Sequence, residues 1–139
     1  MAETVREVMT DRVVTVPSTA SLMDASRAMA DHDIGDVIVV DDGNVSGIVT
    51  DRDIVVRAIA KGSAPKTTRV SEVLSGQVQT LGPDASIGEA VRMMTEGAIR
   101  RIPVVEGGRP VGIVSIGDLA VERDADSALA DISAANPNN

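Results

Sequence analysis

A hydroxyl and a carboxylate recur at the same spacing at two places in this chain. Thr50 precedes Asp53 by three residues, and Ser115 precedes Asp118 by three. Each pair follows an aliphatic run and opens a segment predicted to be helical, so each marks a helix N-terminus whose first backbone amides have no partner within the helix. Such amides can bind an anion, and a carboxylate in the same turn can accept both hydrogens of a ribose diol. Ribose and phosphate bound at one turn would make a nucleotide site.

The same two pairs also fit a purely structural role. Thr50 and Ser115 are good N-cap residues, and Asp53 and Asp118 would complete a capping box and favour the positive end of the helix dipole. Capping is the simpler interpretation of the spacing alone. The two roles do not exclude each other.

Other side chains offer little for catalysis or metal binding. The chain has no cysteine, and its one histidine, His32, lies between Asp31 and Asp33 near the predicted end of a helix. A single histidine cannot build a zinc site without further ligands and does not by itself indicate a Ser–His–Asp triad. We therefore expect neither a resident metal nor an enzyme.

The two hydroxyl–carboxylate pairs belong to a duplication that covers most of the chain. Residues 5–54 align with residues 70–119 without a gap, and 18 of these 50 positions are identical. The densest match sets Gly47 to Thr50 against Gly112 to Ser115. A site built from one copy should therefore occur, in some version, twice.

Each copy predicts the order strand, helix, strand, strand, helix. The predicted strands are 13–16, 37–40 and 45–49 in the first copy, and 78–81, 102–105 and 111–114 in the second. Helices with an apolar stripe follow Ser21 and Ser86, and the closing helices begin near Asp51 and Ile116. Neither copy should be stable alone, because each would be a three-stranded sheet of about 50 residues with one face uncovered. The predicted fold class is α/β (α+β), with two β-α-β-β-α repeats related by a pseudo-twofold axis and sharing one core.

Composition excludes several classes of protein. The 139 residues are 43% hydrophobic without any Phe, Tyr or Trp, which suits a folded domain whose core is aliphatic. The net charge of −8 disfavours nonspecific nucleic-acid or anionic-membrane binding. No apolar run has the length of a membrane span, and the N-terminus has no signal-peptide pattern. With no cysteine to form a disulfide, we expect a cytoplasmic protein.

The repeated motifs resemble a tandem pair of CBS domains. The resemblance extends from Val5 to about Val121 and rests on the doubled segment around Asp53 and Asp118, on residues 8–10 and 73–75, and on residues 34–41 and 99–106. It implies a regulatory module that binds an adenosine compound in two clefts between the repeats. The ligand would be AMP, ADP or ATP, with S-adenosylmethionine or NAD as alternatives, and no cofactor would be required. Modules of this size resemble the actinobacterial hypoxic-response type and frequently pair into disc-shaped dimers.

The resemblance also assigns residues to the two clefts. The first would use Ile113, Ser115 and Asp118, a base pocket around Thr10, Val14 and Gly35, and Arg101 for the phosphates. The second would use Ile48, Thr50 and Asp53, with the base near Ser75, Gln79 and Arg100. Asp36 stands in the second cleft where Arg101 stands in the first, and Arg52 or Arg100 would have to compensate.

Two functions follow from this sequence. The first is a ligand-sensing module that passes nucleotide occupancy to an unidentified client protein or to its own assembly as a homodimer. The alternative is a structural dimerisation module without nucleotide. We predict a first repeat at 1–62, a linker at 63–69, a second repeat at 70–123 and a polar tail at 124–139 that is frayed or disordered.

Overall fold

The computed structural model describes residues 2–74 and 78–123. These residues form two compact units. One unit, here the first-repeat unit, comprises residues 14–74 and 78, and the other, the second-repeat unit, comprises residues 2–13 and 79–123. The predicted tail at 124–139 lies outside the described residues. The predicted boundaries at 62 and 70 follow the duplication and stay a prediction.

The first-repeat unit contains a three-stranded sheet in the order β1-β2-β3. Its strands are β1 (Thr15–Val16), β2 (Asp36–Asp41) and β3 (Asn44–Thr50), with β1 parallel and β3 antiparallel to β2. The hairpin turns at Asp42 and Gly43, which both have positive φ (53° and 81°), as a two-residue turn between twisted strands requires. Its helices are α1 (Leu22–His32) and α2 (Asp51–Arg57), and α2 is followed by a 3-10 turn at Ile59–Lys61.

The second-repeat unit repeats most of this plan. A 3-10 turn at Val5–Glu7 precedes α3 (Ile87–Gly97), β4 (Arg101–Glu106), β5 (Arg109–Ser115) and α4 (Ile116–Arg123). β4 and β5 form an antiparallel pair that turns at Gly107 and Gly108, again with positive φ. No helix among the described residues is long and apolar enough to cross a membrane.

Each unit contains the opening segment of the other repeat. Val70 and Val73, from the opening of the second repeat, are buried among the side chains of α1, β2 and α2. Val5, from the opening of the first repeat, is buried among those of α3, β4 and β5. The structure thus has two clusters of buried apolar side chains, one per unit, where the sequence predicted one core. The two repeats still depend on each other, because each cluster includes residues from both.

Most of the predicted elements are confirmed, with one exception. Ser21 and Ser86 cap α1 and α3 by accepting hydrogen bonds from the backbone amides of Asp24 and Glu89, each at 3.0 Å. The predicted strand at 78–81 is reduced to one residue, because Leu81 forms an isolated parallel bridge with Val104 and residues 78–80 are not in a strand. Gly82 and Pro83 follow Leu81 at once, and Pro83 has no amide with which to extend a ladder.

Candidate functional site

Both hydroxyl–carboxylate pairs form reciprocal capping boxes. At the start of α2, the Asp53 amide donates to Thr50 Oγ1 at 3.1 Å and the Thr50 amide donates to Asp53 Oδ2 at 2.9 Å. At the start of α4, the Asp118 amide donates to Ser115 Oγ at 3.1 Å and the Ser115 amide donates to Asp118 Oδ2 at 2.8 Å. The structural role is therefore present in both units. Each box uses only one oxygen of its carboxylate, so the other oxygen remains for a second role.

The second oxygens differ between the two units. Asp53 Oδ1 lies 3.7 Å from Arg57 Nε one turn further along α2, and Arg57 Nη1 also donates to the Val73 carbonyl oxygen at 3.4 Å. Asp118 Oδ1 has no hydrogen bond or ion pair with any residue in 2–74 or 78–123. Asp118 is thus the carboxylate that keeps an acceptor for a further donor.

Burial raises the pKa of Asp118 above its usual value, and the two hydrogen bonds with Ser115 oppose that shift without cancelling it. A carboxylate whose pKa is raised by burial has lost hydration in its charged form, so a new hydrogen-bond donor stabilises that form most. A pair of ribose hydroxyls would supply two donors to this group.

The residues facing the two hydroxyls carry opposite charges. Arg101 lies directly opposite Ser115 in the β4–β5 ladder, and Asp36 lies directly opposite Thr50 in the β2–β3 ladder. Residues directly opposite in an antiparallel pair have Cβ atoms about 5 Å apart. Arg101, the residue predicted to bind the phosphates, is therefore next to Ser115, whereas the carboxylate of Asp36 occupies the matching position next to Thr50.

The first turns of α2 and α4 also differ, and again the first repeat has the additional carboxylate. In α2, the Arg52 amide donates to Asp51 Oδ1 at 2.8 Å, so a carboxylate of the chain already occupies the place of an anion. The matching residues of α4 are Ile116 and Gly117, and neither has a carboxylate. The α4 turn is therefore the better suited of the two to an external anion.

The second-repeat unit brings together most of the first predicted cleft. Thr10 and Ile113 form an isolated antiparallel bridge, in which the amide of each donates to the carbonyl oxygen of the other at 2.9 and 3.0 Å. Ile113 is two residues before Ser115 on β5, so their side chains lie on the same face of the strand, and Thr10 lies beside Ile113 as its bridge partner. The unit also contains Gln79 and Arg100, which were assigned to the second cleft, and the Arg100 carbonyl accepts the Ile116 amide at 2.9 Å.

The first-repeat unit contains the remaining predicted residues that the structure describes. Gly35 and Thr50 are at neighbouring ends of β2 and β3, and the Gly35 carbonyl accepts the Asp51 amide at 2.9 Å. The Val14 carbonyl accepts the Ile38 amide at 3.0 Å. Ile48 is paired with Ile38, and Arg52 is exposed on α2. Ser75 lies outside the described residues.

Two residues that sequence reasoning did not select contact the site. Arg57 is the ion-pair partner of Asp53, and the i, i+4 spacing of opposite charges in a predicted helix was an available signal. Gly112 adjoins Ile113, and only its match with Gly47 in the duplication pointed to it. Among the described residues, no group of three His, Asp or Glu side chains is placed to hold a metal ion.

The duplicated β-α-β-β-α plan, with a hydroxyl–carboxylate turn closing each copy, defines a tandem-repeat module. The family model for the CBS domain matches residues 5–59 and again residues 70–123. The chain belongs to the CBS domain family, as a pair of CBS domains.

Curated relatives and solved structures agree with this assignment. The CBS domain-containing protein YhcV of Bacillus subtilis is 39% identical over 136 residues, covering 95% of this chain and 96% of that protein. Hypoxic response protein 1 of Mycobacterium tuberculosis is 37% identical over 118 residues, covering 84% of this chain and 82% of that protein. A crystal structure of hypoxic response protein I, with two coordinated zinc ions, superposes with a TM-score of 0.76 at 36% identity, covering 84% of this chain and 96% of that one.

A second solved structure of this fold contains adenosine ligands. The CBS domain pair of protein MJ0100, in complex with 5′-methylthioadenosine and S-adenosyl-L-methionine, superposes with a TM-score of 0.79 at 26% identity. The match covers 89% of this chain and 98% of that one.

Proposed function

We propose that this chain is a cytoplasmic, non-catalytic regulatory module that binds an adenosine nucleotide of the AMP, ADP or ATP class. The observation that carries the proposal is the group formed by Ser115, Asp118 and Arg101 at one end of β4 and β5. It combines a carboxylate oxygen without a partner among the described residues, a helix N-terminus and a cation directly opposite the hydroxyl.

Each member of this group suits one part of a nucleotide. Asp118 Oδ1 is an acceptor for the ribose hydroxyls, and its raised pKa reflects lost hydration that such donors would replace. The N-terminus of α4 and the guanidinium of Arg101 suit phosphate oxygens, because both present N–H donors and positive charge. The chain has no aromatic side chain to stack on the base, so recognition of adenine rests on burial against aliphatic edges and on backbone hydrogen bonds.

The adenosine part of the proposed nucleotide is supported by the ligands of a related protein. The MJ0100 pair contains two adenosine compounds, and neither of them has a phosphate. The phosphate part is supported by Arg101 and by the absence of a carboxylate in the first turn of α4 before Asp118. We therefore expect nucleotides to bind the second-repeat unit more tightly than adenosine compounds without phosphate do.

Thermal unfolding of the purified chain with a panel of ligands tests this function. The panel contains ATP, AMP, NADH and S-adenosylmethionine, each tested alone. Zinc chloride is a separate member of the panel, because the structure of hypoxic response protein I contains zinc. A ligand at 100 times its dissociation constant should stabilise the fold by about 2.7 kcal/mol. For a domain of this size that is a rise in Tm of several degrees.

The panel also separates the proposal from its alternative. GTP at the same concentration and ionic strength is the control, because it matches the charge of ATP and differs in the base. A rise in Tm with ATP or AMP that exceeds the rise with GTP supports the regulatory module. No rise with any adenosine compound at millimolar concentration would leave the structural dimerisation module as the function.

A further inference from the structure

Gly112 is the point of closest approach between β5 and the opening segment of the chain. A Cβ atom built on Gly112 would lie 2.8 Å from the carbonyl oxygen of Thr10 and 2.6 Å from Sδ of Met9. Real Cβ atoms essentially never approach another atom closer than 3.0 Å. Gly112 does not have a positive φ, so the requirement for glycine here comes from this approach and not from the backbone conformation.

The approach has a direct structural result. With no side chain at 112, the backbones of Thr10 and Ile113 come near enough to exchange two hydrogen bonds, at 2.9 and 3.0 Å. The segment is anchored further back as well, because Val5 is fully buried and Arg6 lies 3.5 Å from Asp84 and 3.6 Å from Glu106. An added Cβ would therefore move the segment at Thr10 while its anchor at residues 5–6 stays in place.

The matching glycine of the first repeat is under a weaker constraint. The three atoms nearest to a Cβ built on Gly47 are side-chain carbons of Leu74, the two closest at 3.2 and 3.3 Å. The end of a leucine side chain can give way by a few tenths of an ångström, whereas the Thr10 carbonyl is held by its hydrogen bond from Ile113 and a shift of that size weakens the bond. The two glycines align in the duplication and yet have different tolerance for a side chain.

We propose that Gly112 is a specificity-determining positioning residue, which fixes Thr10 against Ile113 and thereby sets the adenine selectivity of the nucleotide site. This inference rests on the proposed function. Thr10 is one of the residues expected around the base. Selectivity among bases depends on hydrogen bonds that lose strength steeply with distance and angle, so a small displacement of the Thr10 backbone affects this selectivity strongly. Ser115 and Asp118 are anchored by their own capping box and stay in place.

The test uses Gly112→Ala, with Gly88→Ala and Gly47→Ala as controls in the full chain. Gly88 is on α3 in the same unit, and a Cβ there meets only Ser86 Oγ at 3.9 Å. Amide hydrogen exchange of Thr10 and Ile113, measured without ligand, reports whether the segment has moved. Calorimetric titration with ATP and with GTP then gives the ratio of the two affinities. Loss of folding stability alone does not change that ratio.

We expect faster exchange at Thr10 and Ile113 in Gly112→Ala, about a tenfold loss of ATP affinity, and a ratio of ATP to GTP affinity that falls by a similar factor. Both controls should keep the wild-type ratio. Faster exchange with an unchanged ratio would overturn the selectivity role and leave the proposed function standing. Exchange as slow as in the wild type would overturn the geometric premise.

Two further outcomes are also decisive. A wild-type protein that binds neither nucleotide would overturn the proposed function and this inference together. A wild type that binds ATP and GTP equally would overturn this inference and the adenine specificity of the proposed function, and would leave nucleotide binding standing. If Gly112→Ala does not fold, the double variant Met9→Ala with Gly112→Ala is measured instead, because it removes the contact with the Met9 sulfur. The Thr10 carbonyl remains too close in that variant, so the same loss of selectivity is expected.

Discussion

At the residue scale, the two carboxylate oxygens of Asp118 have different surroundings. Its Oδ2 closes the capping box of α4, and its Oδ1 is left without a partner among the described residues. Asp53 has the same box, but Arg57 engages its other oxygen. A substitution that keeps the cap and removes the charge therefore separates capping from binding.

Asp118→Asn is expected to weaken ATP binding by about ten- to a hundredfold while leaving the fold intact. The amide oxygen of asparagine can still accept the Ser115 amide, but a hydrogen bond to a charged acceptor typically contributes about 1.5–3 kcal/mol more than none. Calorimetric titration measures the loss. Asp118→Ala should lose as much affinity and also destabilise the helix start. Unchanged affinity in both variants would contradict the ribose assignment.

The pH dependence of stability follows from the raised pKa of Asp118. The folded state holds its proton more tightly than the unfolded chain, whose pKa is near 3.8, so this group stabilises the fold most below that pH. Its contribution is lost as pH rises through the folded pKa. Asp118→Asn removes the titration, and its stability relative to wild type should rise as pH increases from about 3.5 to neutral. Chemical denaturation at several pH values measures this difference, and a constant difference would contradict it.

At the element scale, the two hairpins place opposite charges at equivalent positions. Arg101 begins β4 opposite Ser115, and Asp36 begins β2 opposite Thr50. Two unit charges about 4 Å apart interact by roughly 4 kcal/mol at an effective dielectric of 20, and partial exposure reduces this. A fraction of that energy separates two affinities by more than tenfold, since each 1.4 kcal/mol is a factor of ten.

We therefore expect two unequal nucleotide sites, with the Ser115 and Asp118 site filling first. Arg101→Asp should weaken that site by at least tenfold, and Asp36→Arg should strengthen the other. Titration calorimetry with ATP distinguishes the two steps. Asp31→Arg is the matched control, because it makes the same charge change at an exposed position on α1. Two equal and independent sites in the wild type would contradict the asymmetry.

At the scale of the whole molecule, local patterns predicted the helix starts, whereas contacts between distant parts of the chain could not be predicted from the sequence. The caps at Ser21, Ser86, Thr50 and Ser115 depend on residues three positions apart, so the sequence alone identified them. The burial of Val5 with the second repeat was not predictable in this way, because nothing in the first ten residues specifies a partner about 80 positions further along. The close approach at Gly112 depends on the same distant pairing, and it was missed for that reason.

The exposed face of α2 bears on how whole molecules associate. Val55, Val56 and Ile59 are 57%, 43% and 45% exposed and adjoin one another on this helix and the 3-10 turn after it. Asp51 and Lys61 are exposed at the two ends of the same segment, equally far from Val56. An antiparallel pairing of two copies about Val56 would bury the apolar residues and bring each Asp51 near the Lys61 of the partner copy. A closed twofold pair is the commonest way to cover such a surface.

We expect the protein to be a homodimer in solution and Val55→Lys to convert it to a monomer. The substitution places a charge at the centre of the apolar face, and because Val55 is more than half exposed it should change the folding stability little. Light scattering over a range of concentrations should give twice the 14.4 kDa chain mass for the wild type and the single mass for the variant. Thr95→Lys adds the same charge at an exposed position on α3 and should remain dimeric. A wild-type mass of 14.4 kDa at every concentration would contradict the dimer, and a dimeric Val55→Lys variant would show that α2 is not its interface.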